Sequence, residues 1–389
     1  MKKLIYFLLI SGLLCACTHS EETVKNTAYL LPVSDSSGDM QLLLNTEIKL
    51  LTVEKDSAAD MYDSLNETVT HYHILFDGRH YYDEEGETIN NLRSINDSYG
   101  SEEKISVDND LLDALKESFT LSKITEGYFN PTVGKLSDIW KRKFDEGELY
   151  NSDPSEEEIE DACNCIIPYD ELEDYIEIDE NAMTVTFHRY ERCEDRVVID
   201  LGGFAKGYVL DRAAEILESY GSPFLIDGGS SSIIAYSPED SSVDWTIGIR
   251  SPLSGNVLYA LKERNISLST SGDDERFFLL KEEDKIVRRH HILDPYSGYS
   301  QNYYRGITLF SEDNAAVLDA LSTAFFSIED IDTQNRILSA VREHYGIKVY
   351  RCILKEEGNG LKMMVDSEIE NSFLDDVLSE DLCRKEVIE

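Results

Sequence analysis

Two oxygen-bearing side chains four residues apart, Asp319 and Thr323 in "VLDALSTAFF", share one face of an apolar helical stretch. A carboxylate and a hydroxyl so placed are hard ligands, suited to Mg²⁺ or Ca²⁺ and unsuited to a soft metal. The same spacing equally lets Thr323 bond back to the carbonyl of Asp319. In "HHILDPYSG", His290 and His291 precede an apolar pair and an Asp-Pro turn. Either suits a general base, and either suits a structural position at a strand end. A third stretch, "VVIDLGGFAKGYVLDRAAEILESYG" (197–221), reads as a strand, a glycine turn and a helix. The β-branched run Val197, Val198 and Ile199 predicts the strand. Tyr208, Leu210, Ala213, Ala214, Leu217 and Tyr220 predict the helix, and Gly221 its stop. Between them Gly202 and Gly203 permit positive φ or a close approach of backbone to a neighbour. A glycine turn at a helix start can meet an anion with its N–H groups and dipole. Neither a dinucleotide fingerprint nor a Walker loop is present. A phosphate-facing loop and a tight packing turn both remain open on spacing alone.

The elements that must position these residues are mixed. Leu111, Leu112, Leu115, Phe119 and Leu121 mark a helix face, broken by the turn formers of "EGYFNPTVG". "DYIEIDENAMTVTFHR" alternates around an Asp-Glu-Asn turn and predicts a hairpin. "PFLIDGGSSSIIAYS" and "DWTIGIRSP" predict strands that end in turns, and "SEDNAAVLDALSTAFFS" a helix capped by Ser311 or Asp313. Strands and helices without regular alternation indicate an α+β fold, not a doubly wound sheet.

The chain begins "MKKLIYFLLISGLLCACTHS". Two lysines and an apolar run from Leu4 to Leu14, too short to span a membrane, predict a secretory leader over residues 1–16. Leu14-Cys15-Ala16-Cys17 resembles a bacterial lipobox, with Cys17 as the lipid-bearing residue. The expected location is therefore the cell membrane, lipid-anchored on its extracytoplasmic face. Residues 17–45, rich in Ser, Thr and Asp, read as a flexible tether, and 46–389 as the folded body. Lys+Arg number 36 against 77 Asp+Glu, a net charge of −41. A surface so acidic repels nucleic acid, which is excluded as a partner. Besides Cys17, Cys163, Cys165, Cys193, Cys352 and Cys383 follow the leader. Their odd number and lack of a repeating framework argue against a disulfide scaffold, though this compartment allows one or two bonds. No cysteine is assigned chemistry.

In order along the chain, "IDLGGFAKGYVLDRAAEIL", "LIDGGS", "STSGDDERFF", "HHILDPYSG" and "DALSTAFF" together resemble the ApbE family of flavin transferases. "EGYFNPTVGKLSDIW" resembles the family's G-x-F-D-x-T-V-G-P-L-x-x-x-W segment, and "FDGRHYY" with "NNLRSIN" its N-terminal region. The resemblance covers about 60–345. It implies a mixed fold of two intertwined α/β subdomains with the active site between them. It also implies Mg²⁺-dependent transfer of FMN from FAD to a threonine of an extracytoplasmic redox protein, releasing AMP. Two alternatives are hydrolysis of FAD to FMN and AMP, and a lipoprotein that binds FAD without chemistry. By motif matching, the resemblance implies Gly203 (through its carbonyl), Asp319 and Thr323 as ligands of Mg²⁺ or another divalent cation. Asp200, Lys206, Tyr128, Phe129 and Asn130 match positions that contact FAD. Tyr82 matches an aromatic covering the isoalloxazine, Ile292 a residue lining the adenine or ribose, and His291 a base for the attacking threonine. Asn130 stands where aspartate is commonest, Asp274 replaces an aromatic, and Ser230 replaces an asparagine.

Overall fold

The computed structural model describes residues 26–53, 56–229, 231–282, 285–373 and 382–388. The leader, Cys17 and Ser230 lie outside the described residues. The centre is a nine-stranded sheet in which spatial order follows chain order. Its strands are β1 (Asn26–Tyr29), β2 (Lys49–Thr52), β3 (Phe224–Asp227), β4 (Ser232–Tyr236), β5 (Ile266–Gly272), β6 (Gly306–Ser311), β7 (Tyr350–Glu357), β8 (Gly360–Asp366) and β9 (Leu382–Ile388). Every neighbouring pair is antiparallel except β8 and β9. An α+β architecture results, as the irregular alternation of elements predicts.

Both faces of this sheet are covered, so central strands such as β3 and β4 read as apolar runs. Phe224, Ile226, Ile234, Leu309 and Ile353 point into one core. Leu225, Ile233, Ala235, Phe310 and Leu354 point into the other. The first core is closed by helices α1 (Ala58–Phe76), α4 (Ala205–Glu218) and α5 (Ala315–Phe326), and the second by the hairpin Trp245–Arg250/Val257–Glu263. A second unit is inserted between α1 and α4. It holds α2 (Asn109–Ile124), α3 (Gly134–Asp145) and a three-stranded sheet containing the expected hairpin, Ile176–Asp179 with Thr184–Phe187. The units interlock, because the later hairpin Phe277–Glu282/Lys285–His290 packs Phe278 on Trp140 of α3. A Cys165–Cys193 disulfide closes two loops of the inserted unit, while Cys163 and Cys352 are free thiols.

Three expectations are corrected. The tether does not extend to residue 45: from Asn26 the chain pairs with β2 and buries Leu30 and Leu43 in the helix-side core. Polar composition concealed the few apolar side chains that seal that edge. Helix α5 is capped by Asn314, not Ser311 or Asp313; its φ is 71° and its side chain accepts from Val317 N–H at 3.1 Å. Ser311 is still occupied in β6. Val197–Ile199 makes only one bridge, Val198 to Val133. The Asn96 side chain supplies the other bonds there, accepting from Ile199 N–H at 2.7 Å and donating to its carbonyl at 2.9 Å.

Candidate active site

The glycine turn is held from three sides. Asp200 N–H donates to Pro131 O at 2.8 Å, which fixes the turn against the segment Tyr128–Asn130. The Asp200 carboxylate accepts Gly202 N–H at 2.8 Å and remains half-exposed. Neither Gly202 nor Gly203 has positive φ. Gly203 makes a close approach: a Cβ there would lie 3.1 Å from both Oγ1 and Cγ2 of Thr323, so the Thr323 side chain would have to give slightly. Gly221, past the helix end, is the glycine that takes a left-handed conformation, with φ 64°.

Helix α4 then crosses the start of α5 at Gly207, where a Cβ would fall 2.1 Å from Ala315 O. No other residue allows that contact without moving a helix. Four residues on, Asp211 accepts from Ala315 N–H and Ala316 N–H, both at 2.8 Å. It thereby satisfies donors that a helix start leaves unpaired. Burial pushes its carboxyl up to about 7, opposed by those two bonds. Gly207 and Asp211 set the register that carries Asp319 and Thr323 to the glycine turn, and motif reading assigned neither a role. Asp211→Ala strands two buried N–H groups. The expected loss is about 2 kcal/mol of stability, read as a Tm several degrees lower; an unchanged Tm would remove this role from Asp211.

Thr323 does not bond back to Asp319. Its hydroxyl donates to Gly203 O at 3.4 Å, and Ser322 is the residue that caps the Asp319 carbonyl, at 3.1 Å. Asp319 is 4 % exposed and accepts from Gly207 N–H and Ser269 Oγ, both at 3.1 Å, one on each carboxylate oxygen. A carboxylate has about four lone-pair sites, so two remain. The Gly203 carbonyl and the Thr323 hydroxyl thus meet between the turn and α5, and the Asp319 carboxylate lies one helical turn before Thr323 on α5 and bonds Gly207 N–H of α4. A carbonyl, a hydroxyl and a carboxylate are a donor set of the kind that fits a hard divalent cation. Ser269 is a supporting residue that sequence reasoning missed, because it comes from β5, fifty positions away.

His291 follows the last strand of the Phe277–His290 hairpin, its N–H donating to Arg276 O at 3.2 Å. Its Nδ1 is buried without a partner. Burial, then Arg276, His290 and Lys206, push the imidazole down to about 3, so it is neutral at pH 7. Neither Lys206 nor Arg276 has a carboxylate partner among the described residues. His290 is the structural member of the pair. It is fully buried, with Nε2 2.7 Å from Gln301 O and Nδ1 accepting from Ile292 N–H at 3.3 Å.

The remaining expected contacts divide. Tyr128 is half-buried at the rim, and Ile292 is buried in the strand-end turn. Phe129 and Asn130 turn their side chains inward. Phe129 packs near Phe204, with centroids 6.2 Å apart. The Asn130 amide is spent on Ile167 O at 2.8 Å and on Thr132 N–H at 2.9 Å, leaving only the main chain to meet a ligand. Tyr82 is a correction. It is 2 % exposed, with its hydroxyl donating to Asp77 at 2.8 Å and 3.0 Å from His73 Nε2, so its ring has no free face to cover a flavin. Asp77 ends α1 and gathers Arg79 N–H, His80 N–H and the Tyr82 hydroxyl, which draws the ring inward.

The model of the ApbE family matches residues 66–349. An FAD:protein FMN transferase of Treponema pallidum is 26% identical over 297 residues, covering 74% of this chain and 77% of that one. One from Rhodobacter capsulatus is 27% identical over 238 residues, covering 60% of this chain and 41% of its own length. Among solved structures, the ApbE protein of Thermotoga maritima superposes with a TM-score of 0.64 at 26% identity, covering 84% of this chain and 94% of that one.

Proposed function

This chain belongs to the ApbE family, and from that premise we propose that it transfers FMN from FAD to a threonine hydroxyl of an acceptor protein. The observation that carries this reading is the approach of Thr323 Oγ1 to Gly203 O on the helix that also carries Asp319, whose carboxylate bonds Gly207 N–H four residues past the turn, together with a neutral imidazole, His291, whose buried Nδ1 has no partner among the described residues. Gly203, Asp319 and Thr323 would hold Mg²⁺, which supplies charge neutralisation at a pyrophosphate when bound. Lys206 and Arg276 meet the remaining phosphate charge. His291, neutral, accepts the threonine proton as the threonine oxygen bonds to the FMN phosphorus. The bond from that phosphorus to the bridging oxygen breaks, and AMP leaves with the oxygen. Asp200 and the main chain of Tyr128–Asn130 orient the dinucleotide.

The test is to incubate the protein with FAD, Mg²⁺ and a candidate extracytoplasmic acceptor domain. The expected result is a mass gain of one FMN on the acceptor and one AMP per transfer. AMP and FMN appearing equally with and without acceptor would favour hydrolysis, and no turnover of any kind would favour a binding protein.

The site is proposed to work at the outer face of a membrane, anchored by a lipid on Cys17. The lipobox-like sequence supports this, and a disulfide at Cys165–Cys193 suits an oxidising compartment. Cys17→Ala should release the protein from the membrane fraction and abolish lipid labelling. A variant that still labels and sediments with membranes would overturn the anchor.

A further inference from the structure

We propose that Tyr128, Tyr169 and Tyr296 form a platform at the rim of the site that receives a flat heteroaromatic ring of the dinucleotide. The inference rests on the flavin-transfer reading above and adds residues that no motif match supplied, Tyr169 and Tyr296. Tyr296 is 61 % exposed, yet nothing about it is loose. Its hydroxyl donates to Glu126 O, and its N–H to Asp294 Oδ1 at 3.0 Å. The other Asp294 oxygen accepts from Ser297 Oγ at 2.7 Å and Gln301 Nε2 at 3.0 Å, so the loop beneath the ring is fixed. Tyr128 meets Tyr296 edge to face, with centroids 5.1 Å apart at 64°.

The backbone under these rings is strained to let them converge. Glu126 has φ 54° and Gly127 φ 80°, two left-handed residues in succession, the first of a type that resists it. Arg336 holds the Glu126 carboxylate with two bonds of 2.8 and 2.9 Å. A Cβ on Gly127 would lie 2.9 Å from both Tyr169 Cδ1 and the Tyr296 hydroxyl, so any side chain there would part the rings. Core packing does not account for this, because Tyr296 is largely exposed to solvent. The platform adjoins, in sequence, the segments matched to dinucleotide contacts: Tyr128 leads into Phe129 and Asn130, whose main chain remains to meet a ligand, and Tyr296 follows Ile292 by four positions. Pinned aromatic faces recognise flat π-systems by offset or edge stacking. FAD offers two, adenine and isoalloxazine.

The experiment measures binding of FAD, ADP and FMN to the full protein and to Tyr296→Ala and Tyr296→Phe, with Tm as a check on folding. Tyr296→Ala is expected to weaken FAD about tenfold, and Tyr296→Phe to keep FAD affinity within about twofold. A parallel loss for ADP alone assigns adenine. A parallel loss for FMN, with recovery of flavin fluorescence in the Tyr296→Ala complex, assigns isoalloxazine. Equal affinities for all three ligands across the variants would overturn the platform while leaving flavin transfer intact. Equal losses in Tyr296→Ala and Tyr296→Phe would also overturn it, since the hydroxyl and not the ring would then matter. A wild-type protein that binds none of the three would overturn both readings.

Discussion

Asp319→Ala is expected to lower Mg²⁺-dependent turnover about a thousandfold or more, the effect of losing a cation worth several kcal/mol to the transition state. Asp319 carries the only full negative charge among the three proposed ligands, and it stands 4 % exposed between Gly207 N–H and Ser269 Oγ. Removing it also leaves a buried N–H unpaired, at about 1–3 kcal/mol of stability. Asp319→Asn therefore matters as a control: it keeps the volume and an acceptor but removes the charge, and should lose nearly as much activity. Thr323→Ala should raise the Mg²⁺ concentration needed for half-maximal rate. Thr323→Ser keeps the hydroxyl that faces Gly203 O at 3.4 Å and should be mild. Turnover titrated against Mg²⁺ for all four variants decides the matter. Equal metal dependence across them would mean that α5 packs against the turn without holding a cation.

His291→Ala is expected to slow transfer by roughly a hundred- to ten-thousand-fold, the usual range for loss of a general base, with little change in FAD affinity. The pH dependence has a definite sign. A base works deprotonated, and the imidazole of the free protein is held down to about 3 by burial, Arg276, His290 and Lys206. Since kcat/KM reports the free enzyme's groups, it should show no loss from this residue between pH 8 and pH 5. An acid limb near the ordinary histidine value of about 6.5 would show that burial and the neighbouring cations do not hold the imidazole down. Lost FAD binding in His291→Ala would make the residue structural.

Much of the site was legible because its residues sit in short runs with strong local preferences. The helix face of α4, the α5 spacing that aligns Asp319 with Thr323, and the hairpin at 176–187 all depend on contacts within a few residues, whereas α4 ends at Glu218, short of the expected stop at Gly221. What misled was local too. A Ser/Thr/Asp-rich stretch read as tether, although Leu30 and Leu43 seal a sheet edge, and an aromatic at position 82 read as ligand-facing, although Asp77 draws it in.

The sequence by itself determined the α+β class, the family, the pair Asp319/Thr323, the glycine turn and the histidine before "ILDP", because each is a matter of residue type at fixed short spacing. Tertiary structure alone decided which alternative each residue takes. Thr323 turns to Gly203 O and not to its own helix because Gly207 lets α4 approach Ala315 O and Asp211 fastens the start of α5. His290 becomes structural because Gln301 O claims its ring, while the His291 ring is left with a buried Nδ1 that has no partner among the described residues and its backbone N–H bonds Arg276 O. Such choices are made by partners about ten to a hundred or more positions away, and no local spacing encodes them; packing density and the cost of an unpaired buried polar group do.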